Sequence, residues 1–478
     1  MRFLTQIAIV SVLAGGLWAQ QSAAPAPTPT STPALPMELP KAGVLKPPIS
    51  PAVEEHQLKN GMRVWLVQRP ELPKVAFRLV VHGGDSFDPA DAPGLAMLMA
   101  RTITQGTASR SSREIAEAAQ GVGGDLVGSA NKDFSDVSLD SLSEHAADAV
   151  ALIADIVQNA NFPESEVDLA KSNMQDELRE KEASPRFLAM RAWYGVTYGD
   201  HPYHIVAATM KTLQSATPQT LKALYQTEYR PDKALLIAVG SFDKAALLAQ
   251  IEKSLGGWKA SVATQPEIKA PVTKQDHKIY YIERPGSVQT TMLIGALGLT
   301  AEDPQKERLL VADTIYGGSF GSRLTRNIRE DKGYTYSPYS YIVANRLSGV
   351  CATNEDVRNE VTGPALKETF FELKRIATEP PSADEMEHAK RYLIGNTALD
   401  LQSRTEVAAR LGKYWIDGQP ANHLDEEMAE IQKANATEAA QAAAKYFNPD
   451  RMTVIAVGEK SVVLDQLKPF GMEIVQAP

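Results

Sequence analysis

Side chains able to bind a metal, activate water or form a covalent intermediate are few in this chain. There are eight histidines. His201-Pro-Tyr-His204 has a helical spacing, but Gly199-Asp200 and Pro202 make the segment a loop. Asp384-Glu-Met-Glu-His388 places Asp, Glu and His at i, i+3 and i+4, a spacing that aims donors from one face of a helix. The same stretch is densely charged and reads as a solvated helix surface. His56 and His145 stand among polar neighbours and read as surface groups. The single cysteine, Cys351, excludes an intrachain disulfide and a zinc finger, and is expected to be buried rather than reactive. Nothing here supports a nucleophilic hydrolase, and no phosphate-binding loop occurs.

Composition sets outer limits. The chain has 478 residues, 44% apolar and 22% charged, which is ordinary for a globular protein. The 58 acidic residues outnumber 49 Lys and Arg, for a net charge of −9, which disfavours nucleic acid or an anionic membrane as the main partner. The N-terminus reads MRFLTQIAIVSVLAGGLWAQ: one arginine, an apolar run from Ile7 to Trp18, then the small residue Ala19. This predicts a secretory signal peptide over residues 1–19, the other reading being an uncleaved anchor; the run is short for a membrane span. A periplasmic or secreted location follows as an expectation. Residues 20–52 are rich in Pro, Ala and Thr and predict a semi-extended linker, the other reading being an ordered arm lying on the protein.

The rest of the chain repeats itself. Tyr229-Arg-Pro-Asp-Lys-Ala-Leu-Leu-Ile-Ala-Val-Gly240 returns as Phe447-Asn-Pro-Asp-Arg-Met-Thr-Val-Ile-Ala-Val-Gly458, an offset of 218. The Glu164–Lys171 and Ala383–Lys390 segments, and Tyr198-Gly199 and Asp417-Gly418, keep an offset of 219. The chain is therefore read as two similar domains, 53–265 and 276–478, joined by a linker at 266–275. Gly61–Val67 and Val75–Val81 read as paired strands. Ser111-Ser-Arg-Glu114 is a capping box, Thr217-Pro218 starts a helix, and Ser143 is expected to cap a helix carrying Val150, Ile153 and Val157 on one face. The predicted class is α+β: two tandem homologous domains, each an antiparallel-rich sheet with a helical layer.

Residues 58–107 resemble the inverted-zincin peptidases of the pitrilysin, insulinase and processing-peptidase family, peptidase family M16. Leu58-Lys-Asn-Gly-Met-Arg-Val64 looks like its opening strand, and His82-Gly-Gly-Asp-Ser-Phe-Asp88 like the end of the next. Gly94-Leu-Ala-Met-Leu-Met-Ala-Arg-Thr-Ile-Thr-Gln-Gly-Thr107 sits where that family has G-L-A-H-F-L-E-H-M-L-F-x-G-T. The resemblance implies metalloenzyme-like domains throughout 53–478. It places the two zinc-ligand positions at Met97 and Arg101, the general-base position at Ala100 and the third ligand at Glu177. Only Glu177 keeps a residue able to hold zinc; a thioether is a weak donor, alanine none, and arginine has no lone pair to give. Arg101 and Glu177 are expected to form an ion pair in the old zinc pocket, the alternative being an Arg101 that points to solvent.

In the same family an arginine and a tyrosine seven residues apart grip the substrate backbone, and Arg329 and Tyr336 match that spacing. Arg323 and Arg326 are weaker candidates beside them, and Gly317-Gly318 resembles a shortened glycine-rich segment of non-catalytic processing-peptidase subunits. The resemblance thus implies a non-catalytic subunit without a cofactor of its own, which binds peptide or unfolded protein and pairs with a zinc-bearing homologue. The other reading is a cell-envelope binding or scaffold protein without a peptidase partner.

Overall fold

The computed structural model describes residues 43–261, 263–272 and 276–478. The expected signal peptide and the expected linker up to residue 42 lie outside the described residues. Residues 43–45 have no regular structure. Lys46–Pro478 forms one compact unit that takes in both halves.

Each half builds one six-stranded sheet. The first uses β1 (Val53–Gln57), β2 (Arg63–Gln68), β3 (Lys74–His82), β4 (Leu126–Ala130), β5 (Phe134–Leu142) and β6 (Ala234–Gly240), in the order β1-β2-β6-β3-β5-β4. The second uses β7 (Lys278–Glu283), β8 (Gln289–Gly298), β9 (Tyr339–Ala344), β10 (Gly349–Arg358), β11 (Thr453–Gly458) and β12 (Glu473–Gln476), in the order β12-β7-β11-β8-β10-β9. The repeated Gly240 and Gly458 segments thus hold the same place in the two sheets. Each opens with a 3₁₀ turn begun by proline, which supplies a fixed φ where no amide is needed. Each then runs parallel to one neighbour and antiparallel to the other. Every residue of β6 and β11 is buried, which is why both read as unbroken apolar runs rather than alternating ones.

That burial also corrects an expectation. The segments at 61–67 and 75–81 do form β2 and β3, but the two do not pair with each other. β6 lies between them, parallel to β2 and antiparallel to β3. A strand apolar on both faces takes the sheet centre, and local pattern cannot reveal a partner so distant in sequence. Leu58–Val64 is likewise not an opening strand: it is the turn of the β1–β2 hairpin, with Gly61 at φ 92°, running into the start of β2.

Two helix starts behave as read. Ser111 and Glu114 form a reciprocal capping box, and Thr217 caps the helix Pro218–Glu228. Ser143 does not cap. It lies in a 3₁₀ turn, Ser143–His145, and its buried hydroxyl has no hydrogen-bond partner; the helix Ala146–Asn159 begins afterwards and does bury Val150, Ile153 and Val157. The end of the expected linker is also held rather than free. The Ser50 amide donates to Asp425 at 2.8 Å and its hydroxyl to the Asn422 carbonyl at 3.2 Å.

The halves exchange helices. Pro185–Tyr198 follows the first sheet in sequence but packs on β8 and β11 of the second. Its Ala189, Ala192 and Trp193 share a core with Leu293, Val350, Ile455 and Val457. Arg404–Ile416, the equivalent helix 219 residues later, packs on β3 and β6 of the first sheet. Each sheet therefore depends on the other half for cover. Trp193 is fully buried, and its indole Nε1–H donates to the Gly295 carbonyl at 3.4 Å. Trp193→Ala is expected to cost about 3 kcal/mol through lost burial and a residual cavity, read as a lower midpoint in denaturant titration.

Candidate functional site

The short helix Leu95–Thr102 carries Met97, Ala100 and Arg101. Leu95, Leu98, Met99 and Thr102 face the core. Asp88 fixes the helix start, accepting from the Gly94 amide at 2.6 Å and the Ala96 amide at 2.8 Å. Gly94 has φ 85°, and a Cβ there would fall 2.1 Å from Ala208 Cα, so only glycine fits the entry. On the sheet side, a Cβ at Gly128 of β4 would meet the Ala100 carbonyl at 2.2 Å. That close approach sets the helix tightly on β4.

The second element is the long helix Glu164–Ala183. It brings Glu177 opposite Arg101, and the expected pair forms as a two-pronged fork. Arg101 Nη1 and Nη2 each donate to one oxygen of the Glu177 carboxylate, both at 2.6 Å. The Arg101 bond is the largest influence holding the Glu177 carboxyl below its usual range. The two side chains remain 46% and 39% exposed, so solvent screens the pair and its stabilisation is at most about 1 kcal/mol. Around it lies a cavity of about 270 Å³ lined by Met97, Ala100, Ser129, Met174, Glu177 and Lys181, among others.

These residues do not fit zinc. Glu177 is the one carboxylate of the lining, both of its oxygens are committed to Arg101, and Lys181 adds a second positive charge. No histidine or thiolate lines the cavity. Three or four protein donors are the norm for the ion.

Other donor clusters are accounted for by protein partners. Among the described residues Glu307, His423 and Glu427 approach one another closely enough to suggest a cation site. Lys306 already supplies the cation, 3.3 Å from Glu307 and 3.0 Å from Glu427, with Arg410 3.5 Å from Glu427. His201 and His204 serve a 3₁₀ turn: His201 Nδ1 accepts from the Tyr203 amide, and His204 Nδ1 bonds the His201 carbonyl. Asp384 and His388 are exposed on the helix Ala383–Asp400, as read. Cys351 is buried, and burial pushes its thiol well up.

The second-half candidates sit on a π-helical turn, Thr325–Asp331, anchored by buried Leu324 and Ile328. Tyr334 donates its amide to Ile328 at 2.9 Å, Gly333 turns the chain at φ 63°, and Thr335 ties the loop to the Asp356 carbonyl at 2.6 Å. The fold so brings Arg329 and Tyr336 together. The guanidinium lies 4.7 Å from the Tyr336 ring centre and 4.5 Å from that of Phe320 on a neighbouring loop. Both rings are largely exposed, Tyr336 at 79% and Phe320 at 69%. Sequence reasoning missed Phe320; its signal was an aromatic residue inside Gly-Gly-Ser-Phe-Gly-Ser, where a turn needs none.

That stretch also has the spacing of a nucleophile elbow, Gly317-x-Ser319-x-Gly321, which escaped the sequence reading. It follows the helix Lys306–Tyr316 rather than a strand, and the Ser319 hydroxyl donates to the Thr314 carbonyl at 2.9 Å. Arg326 is exposed. Arg323, a candidate neighbour of the pair, is instead structural: it is buried and forks onto Glu385 at 2.7 and 3.0 Å. The guanidinium holds the Glu385 carboxyl at about 2, against the effect of burial. Glu385→Ala would strand a buried positive charge and is expected to cost about 3 kcal/mol. An unfolded glutamate titrates near 4.3, so the wild-type advantage is complete above that pH and is lost as pH falls toward about 2. Melting temperatures of both proteins between pH 7 and about 3 should therefore converge.

Residues 63–205 match the insulinase family, peptidase family M16, and residues 215–393 match the peptidase M16 inactive domain. The chain belongs to peptidase family M16. An M16 inactive domain from Pseudomonas fluorescens superposes with a TM-score of 0.79 at 27% identity, covering 85% of this chain and 98% of that one. A protease from Helicobacter pylori shares the fold at 17% identity, with a TM-score of 0.78 over 86% of this chain and all of that one. The uncharacterized zinc protease YmxG of Bacillus subtilis is 25% identical over 407 residues, 83% of this chain and 96% of its own length. The insulinase-family match of this M16 chain spans Met97, Ala100 and Arg101 and their neighbour Glu177. Among the described residues no helix is long and apolar enough to cross a membrane.

Proposed function

We propose that this chain is an exported, non-catalytic subunit of an M16 zinc-peptidase pair, binding a peptide that a zinc-bearing homologue cuts. The observation that carries the reading is the Arg101–Glu177 fork, which spends the last zinc-capable residue on a permanent cation. The Arg329–Tyr336 pair supports the binding role. The two ring contacts leave the guanidinium N–H groups unspent, since among the described residues Arg329 makes no ion pair and neither side chain makes a hydrogen bond. An unspent guanidinium edge and a phenol beside it can donate to consecutive peptide carbonyls, and to the negative charge that develops on one of them during cleavage. The first half would close the peptide chamber, and the leader at 1–19 would direct export.

The test is reconstitution. The tagged chain is recovered from the envelope fraction, and peptide hydrolysis by any H-x-x-E-H homologue that co-purifies is measured with and without it. Activity that rises on addition supports the subunit. A bound homologue whose activity ignores the chain, or no homologue at all, favours the scaffold reading. Chelator-sensitive hydrolysis by the chain alone contradicts both.

A further inference from the structure

A second cavity, of about 800 Å³, opens where the two halves meet the 263–270 segment that links them. That segment is strapped to the first half. Gln265 Nε2 donates to the His82 carbonyl at 2.9 Å, His201 Nε2 bonds the Lys269 carbonyl at 2.8 Å, and Arg230 donates to the Ala263 carbonyl. The chain as a whole carries a net charge of −9, yet the cavity is lined by Arg230, Lys233, Lys269 and Arg346 against a single acid, Glu267.

Among the described residues, two of these four cations have no answering carboxylate. Arg230 is matched by Asp232, both of whose oxygens it reaches at 3.1 Å. Lys233 and Lys269 form no ion pair among the described residues. Arg346 Nε is buried without a hydrogen bond; Asp133 stands 3.7 Å away, and both of its oxygens already accept from the Tyr203 hydroxyl at 2.6 and 2.7 Å. His82 does not soften the field. Burial first, then Lys233 and Arg346, push its imidazole down to about 4, so it stays neutral. Phe87, Ile268 and Leu347 give the same cavity an apolar wall.

We propose that this cavity binds an organic polyanion, two or more negative charges on a body with an apolar face, and that the anion clamps the first half, the strap and the second half together. The cations come from all three segments, so one bound anion is attracted to each of them at once. A ligand that binds only the closed arrangement stabilises that arrangement. Phosphate esters and polycarboxylates share this chemistry. The inference does not depend on the peptide-binding reading, because none of its residues belongs to the Arg329 or Arg101 sites.

Calorimetric titration of the full chain with magnesium-free ATP and, separately, with benzene-1,3,5-tricarboxylate tests it. Saturable one-to-one binding of either is expected; ATP alone points to a phosphate, the tricarboxylate alone to a carboxylate, and both to the shared chemistry. Lys233 and Lys269 are exposed, so K233E/K269E should fold and melt as the wild type does. It should bind at least tenfold more weakly, a loss of about 1.4 kcal/mol. In the wild type the saturating anion should slow tryptic cleavage after Lys269. The site is overturned if neither anion binds or if charge reversal leaves affinity unchanged; the clamp is overturned if binding gives no protection.

Discussion

The combined substitution Met97→His, Ala100→Glu and Arg101→His is expected to give a chain that carries about one zinc ion where the wild type is expected to carry none. Positions 97 and 101 are four apart on one helix and face the cavity that Glu177 also lines. Removing Arg101 releases both Glu177 oxygens, so two imidazoles and a carboxylate become available together. Three protein donors with an open fourth position is the arrangement of catalytic zinc. Met97→His alone is expected to leave the chain metal-free, because Arg101 would still hold the carboxylate and repel a dication. Metal analysis of both variants, with circular dichroism to establish folding, decides the matter. A triple variant that folds and stays metal-free would mean that these residues no longer frame an inherited zinc position.

Arg329→Ala is expected to lower the joint peptidase activity with the zinc-bearing partner about 10²-fold in kcat/KM, the scale on which loss of a charge-stabilising donor is felt. Tyr336→Phe keeps the ring over the guanidinium and removes only the hydroxyl. Its smaller loss, about tenfold, would separate donation from stacking. Because among the described residues Arg329 makes no ion pair and Tyr336 is exposed, neither change should move the melting temperature of the isolated chain appreciably. A loss of joint activity with unchanged melting therefore points to substrate rather than to folding. Full activity in both variants would remove the peptide-binding role.

Much of the architecture is legible in the sequence because the chain states it twice. The Pro-Asp turns with their buried strands, the two charged helices and the paired Tyr198-Gly199 and Asp417-Gly418 stops recur at nearly one offset, and each pair is structurally equivalent. The ion pair was also legible, since helix spacing and a family motif fixed which residues face each other. What escaped depends on distant segments. β6 between β2 and β3, and the helix exchange around Trp193, are pairings that no local periodicity encodes. Arg323 and Arg329 look alike in sequence. Only tertiary structure buries one against Glu385 and gives the other two exposed rings. Phe320 was missed for the same reason: its partner lies on another turn.

Equilibrating the purified wild-type chain with zinc, removing unbound metal by gel filtration and locating any ion by anomalous diffraction tests the central claim most directly. The predicted result is no stoichiometric zinc and an intact Arg101–Glu177 fork. One tightly held zinc per chain, with its anomalous peak beside Glu177, would contradict it.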